Sequence, residues 1–127
     1  MKNLHLNWYA IALCTLISQI IPAVWYGVFF KLYWAGAEKV TPIAYVNGLL
    51  LWFGTILTLA WLFKKLNVMT PITGLATALL IGLSMHFFPL GVGNGFANVS
   101  AYETCVDGGY YLIVMGISGL ILGGWKK

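Results

Sequence analysis
The chain has 127 residues, of which 61% are hydrophobic and 8% charged, with a mean hydropathy of +0.87. Such a chain would aggregate in water, so the composition describes a small integral membrane protein, one domain over 1–127 lying in the bilayer. The formal net charge of +4 comes from seven lysines set against Glu38, Glu103 and Asp107, and with no basic cluster beyond paired lysines it argues against nucleic acid as a partner.

Spans are read over about 8–30, 44–63, 71–90 and 110–125, each bounded by polar or turn-forming residues. The first lies in Asn7 to Trp34, where Thr15, Ser18, Gln19, Pro22 and Tyr26 share one helical face. Hydroxyls and amides in hydrocarbon need partners, which the rest of the chain is expected to supply. The run is longer than a signal-peptide core and opens onto no cleavage site, so it is expected to stay in the mature protein. The loop Lys31 to Pro42 follows, with Tyr33, Trp34 and Tyr45 suited to the headgroup level.

The second span carries Asn47, Leu51, Gly54, Thr55 and Thr58 on one face and ends at Lys64 and Lys65. Asn67 to Pro71 forms a turn, with Pro71 placed to open the third helix. Gly74, Ala78 and Gly82 then recur every fourth residue, a spacing that lets helix backbones approach closely. His86 stands one step further on. Pro89 and the glycines of Gly91 to Gly95 are expected to break this helix, leaving Asn94 to Asp107 as the longest polar loop and Asp107 as the N-cap of the last span. That span repeats the small-residue pattern with Gly116, Gly119 and Gly123. One small-residue face is assigned to the internal bundle and the other to a second protomer or another membrane subunit.

Lys2, Lys64, Lys65, Lys126 and Lys127 fall on one side of this layout, and Lys31 and Lys39 on the other. The excess marks the cytoplasmic side, giving an antiparallel four-helix bundle with both termini in the cytoplasm. Asn7-Trp8, Trp25-Tyr26, Phe30, Trp34, Asp107-Gly108-Gly109-Tyr110-Tyr111, Met115-Gly116 and Trp125 together resemble the family catalogued as domain of unknown function 1761 over nearly the whole chain. The resemblance implies a four-helix protein of the bacterial inner membrane and adds no mechanism. Pro22 departs from the family's pattern, which tends to carry glycine there.

No serine elbow, phosphate-cradling loop or paired intramembrane carboxylate is present, so no catalytic residue is assigned and the chain leans away from an enzyme. Cys14 and Cys105 match no disulfide framework or metal-ligand spacing, and neither a metal nor a cofactor is expected. Gln19 and Asn47 are expected to hydrogen-bond across the first two helices, and Trp25 to anchor at the headgroup level or pack within the bundle. His86, about 15 residues into its span, lies some 22 Å along the helix, at the depth of Gln19, Tyr26 and Asn47. These four residues define a candidate outward cavity rimmed by Glu103 and Asp107, with a small polar solute as its ligand. The bland alternative is a dry bundle in which the same groups pair with one another. Three functions stay open: an oligomerising or accessory subunit of a membrane assembly, a solute or proton pathway through that cavity, and a membrane enzyme acting on lipid or quinone.

Overall fold
The computed structural model describes residues 5–30 and 41–125. The loop Lys31 to Val40 with Tyr33, Trp34 and Glu38, and the terminal lysines Lys2, Lys126 and Lys127, lie outside the described residues. The described chain is helical, without strands: α1 (Trp8–Val24), α2 (Pro42–Leu66), α3 (Pro71–Gly82), α4 (Phe88–Phe96) and α5 (Ala101–Gly124). Five-residue π-helical turns, Trp25–Phe29 and Leu83–Phe87, continue α1 and join α3 to α4. Four continuous helices result, Trp8–Phe29, Pro42–Leu66, Pro71–Phe96 and Ala101–Gly124, each long and apolar enough to cross a membrane. The surface is as apolar as the interior: Leu16, Ile20, Leu50 and Leu80 face outward, whereas Ile11, Ile56 and Val114 are fully buried. A multi-pass membrane protein is the architecture this inversion fits.

The helix ends follow from local chemistry. Asn7 caps α1 by accepting the Ala10 N–H at 3.1 Å. Pro42 and Pro71 occupy first-turn positions where no N–H is needed, and Thr70 and Thr73 form a capping box at the start of α3. Asn67, with φ 54°, closes α2 in the left-handed conformation beyond Lys64 and Lys65.

Both π turns lie close to a proline. Pro22 has no N–H to offer Ser18 and crowds its carbonyl, and the helix widens directly afterwards, with Phe30 N–H donating to Trp25 O at 2.9 Å. In the third span the widening comes just before Pro89, and Ser84 Oγ donates to the Leu80 carbonyl at 2.7 Å. The expected break at Pro89 and Gly91 to Gly95 does not occur; the helix runs on to Phe96. In hydrocarbon a released peptide group has no water to bond, so the helix survives residues that would end it in solution.

The last helix starts earlier than expected as well. Ser100, not Asp107, is its N-cap, accepting the Glu103 N–H at 3.1 Å, and the loop shrinks to 97–100. Asn94 Nδ2 donates to Thr104 Oγ1 at 3.0 Å and ties α4 to the first turn of α5.

The partners of the polar stripes are mostly local rather than supplied by other spans. Thr15 donates to Ile11 O, Ser18 to Thr15 O, Thr55 to Leu51 O and Thr58 to Gly54 O, each within its own helix.

The last helix is the hub, packing against α1, α2, α3 and α4. Its most extensive contact is with α3, made by the two small-residue faces together. A Cβ on Gly74 would collide with the Gly119 carbonyl, one on Gly119 would stand 2.6 Å from the Ala78 Cβ, and one on Gly123 would stand 2.5 Å from the Thr70 carbonyl. Gly116 meets Leu75 and Leu79, and Gly82 meets Met115. The expectation that one of these faces stays free for a second protomer is therefore corrected: each is covered by the other. Between α2 and α3, by contrast, an open groove of about 460 Å³ runs past Leu51, Gly54, Thr55, Thr58 and Ile81.

Candidate functional site
The end of the first span meets the start of α2 and of α5. Trp25 and Tyr26, adjacent in the π turn, both reach α5: Trp25 Nε1 donates to the Val106 carbonyl at 2.9 Å, and the Tyr26 hydroxyl donates to Asp107 Oδ1 at 2.6 Å. Trp25 thus fastens two helices, the packing alternative to a headgroup anchor. The glycines after Asp107 make room on two sides. A Cβ on Gly108 would run into the Phe87 ring, and one on Gly109 would lie 3.0 Å from the Trp25 ring. Larger residues here would push α5 away and part Tyr26 from Asp107.

Rings continue the contact inward. Tyr26 meets Tyr110 edge-on at 5.6 Å between centroids, Tyr110 lies 4.3 Å from Tyr111, and Tyr111 is stacked on Trp52 at 5.1 Å. Between α1 and α2 this cluster borders a recess of about 280 Å³ lined by Ser18, Gln19, Tyr26, Tyr45, Trp52 and Tyr110, with Gly48 in its wall. Among the described residues no lining side chain is charged. Asp107 stands directly behind, one hydrogen bond beyond the Tyr26 hydroxyl.

The four residues assigned to one cavity are divided by the structure. Gln19 and Tyr26 line the recess. Asn47 lies on the exposed side of α2, and no Gln19–Asn47 bond forms; Gln19 Nε2 is 3.5 Å from Ser18 Oγ, and its Oε1 stands against Gly48. Gly48 is one residue, about 100° of helical turn, beyond Asn47, which accounts for the difference. His86 is also outside the recess: its ring lies 3.7 Å from Tyr111, and its buried Nε2 has no protein partner. Of the expected rim, Asp107 is bonded to Tyr26, and Glu103 is exposed in the first turn of α5.

Sequence reasoning missed Tyr45, Trp52 and Tyr110. Tyr45, Gly48 and Trp52 recur at i, i+3 and i+7, the spacing of one helical face, but a polar-residue search passes over aromatic side chains. Cys14 is buried, with Sγ 4.0 Å from the Ser118 carbonyl, and Cys105 is exposed. Among the described residues no group of three or more His, Cys, Asp or Glu side chains gathers in metal-binding geometry. No family model, no curated protein and no solved structure matches the chain.

Proposed function
We propose that this is an antiparallel four-span protein of the bacterial inner membrane, with both termini cytoplasmic, which binds a small organic cation in the recess between α1 and α2. The observation that carries this reading is the chemistry of the wall. Tyr26, Tyr45, Trp52 and Tyr110 supply aromatic rings, no lysine among the described residues lines the site, and Asp107 places a carboxylate behind Tyr26. Ring faces attract cations, most strongly where water is excluded, and a phenol donating to a carboxylate gains electron density in its ring. The rings and Asp107 then balance the cation's charge, while Gln19 serves a polar substituent.

Titrating choline and its neutral isostere, with carbon in place of the quaternary nitrogen, into detergent-purified protein tests the reading by calorimetry. Choline is expected to bind at least about tenfold more tightly. Equal affinities, or heat from neither compound, would overturn it.

Orientation has its own measurement. With Cys105 replaced by serine, Asn98→Cys is expected to react with an impermeant thiol reagent added from the periplasmic side, and Asn67→Cys to stay unmodified. The reverse pattern would invert the topology.

A second reading, an oligomerising subunit, draws on a different surface. Gly54 has nothing within 4 Å of a Cβ position and opens, with Thr55 and Thr58, onto the groove between α2 and α3. A helix of a second copy would find there the close approach that the α3–α5 faces no longer offer.

A further inference from the structure
At the opposite end of the bundle the start of α1, the last turn of α2 and the end of α5 enclose a pocket of about 380 Å³. Its polar lining is His5, Asn7, Lys64 and Trp125, above an apolar floor that includes Phe63 and Leu122. We propose that this pocket binds a phosphate group, as carried by the headgroup of an anionic phospholipid or as the free ion.

Three observations converge on that chemistry. First, the polar side chains offer donors. Asn7 Oδ1 accepts the Ala10 N–H, which fixes the amide orientation and leaves Nδ2 as a buried donor with no partner among the described residues. A buried donor of this kind is costly unless something accepts from it. Lys64 adds a full positive charge, and the His5 ring and Trp125 indole carry further N–H groups. Second, no carboxylate among the described residues competes. The described acidic residues, Glu103 and Asp107, lie at the other end of α5, and Asp107 is 18 residues before Trp125, about 27 Å along the helix and far beyond the screening length at physiological salt. Third, the pocket is amphiphilic: the floor accepts the glycerol and first methylenes of a lipid while the donors hold its phosphate. Lys65, 5.6 Å above the Trp61 ring, keeps a second cation at this level. With the topology proposed above, the pocket faces the leaflet that carries anionic lipid.

Thermal unfolding in neutral detergent tests the site with three probes: phosphatidylglycerol, diacylglycerol with the same acyl chains, and inorganic phosphate. Phosphatidylglycerol is expected to raise Tm by about 5 °C, and diacylglycerol by much less. A matching rise with inorganic phosphate assigns the site to the free ion; a rise with the lipid alone assigns it to the headgroup. Lys64→Gln and Asn7→Asp are each expected to remove the shift. The second keeps an N-cap oxygen for Ala10 while exchanging the donor for a negative charge, so loss of the helix cap does not explain its effect. Equal shifts with both lipids, no shift with any probe, or full shifts in both variants would overturn the proposal.

Discussion

Replacing Gly119 with isoleucine is expected to unfold the bundle in detergent. The added Cβ meets the Gly74 carbonyl and stands 2.6 Å from the Ala78 Cβ, so the obstruction includes backbone that cannot rotate aside. Overpacking against movable side chains costs about 1–3 kcal/mol, and prying two backbones apart exceeds that range. The α3–α5 contact is the most extensive between helices in the bundle, so its loss leaves α3 without its main partner. Gly54→Ile is the matched control: it changes a spanning glycine in the same way but points into open space, so Tm is expected to stay within a few degrees of the parent. If the second functional reading holds, the same control lowers the particle mass in detergent without unfolding the protomer. A folded, unshifted Gly119→Ile protein would contradict the packing described.

The second large effect concerns Tyr26 and Asp107. Tyr26→Phe removes the hydroxyl that donates to Asp107 Oδ1 and keeps the ring, and Asp107→Asn keeps the shape while weakening the acceptor. Hydrogen bonds to charged groups contribute about 1.5–3 kcal/mol, and losing one partner strands the other in a poorly hydrated place. Each single change is therefore expected to lower stability by about 1–3 kcal/mol, and the double change to cost less than their sum, giving a coupling energy above about 1 kcal/mol by denaturation in detergent. Additive effects would mean that the bond does not act as a pair. Because the bond also sets the Tyr26 ring over the recess, both single variants are expected to weaken choline binding, separating a site effect from a purely structural one.

The residues of α3 and α5 show how much of this was readable. Gly74-Ala78-Gly82 and Gly116-Gly119-Gly123 stand out by spacing, because helical geometry turns an interval of three or four into a face. Which face meets which is a tertiary fact, and no periodicity encodes it. The start of α5 is legible in the sequence: Ser100 with Glu103 three residues later is a helix-start signature, but it falls inside the segment read as the longest polar loop. That misassignment propagated, since placing Asp107 at a helix end concealed its position inside the span, bonded to Tyr26. Pro89 and the neighbouring glycines misled for a physical reason, as their helix-breaking tendency reflects competition from water that lipid does not provide. The recess is only half legible because Tyr45 reads as a headgroup residue and Trp52 carries no polar signal, although it is among the buried core residues.

The central place of α5 bears on biosynthesis. Of the described spans it is the last to leave the ribosome, yet it is the one on which α1, α2, α3 and α4 all rest. The earlier helices enter the bilayer one after another, and until α5 arrives the face of Gly74 and Ala78 is left to lipid. A nascent chain halted before Ala101 can pack α1 on α2 but leaves α3 without its main partner. Arrival of α5 and closure of the α3–α5 contact are thus one event, and it is the step at which cellular quality control can first distinguish a sound molecule from a faulty one.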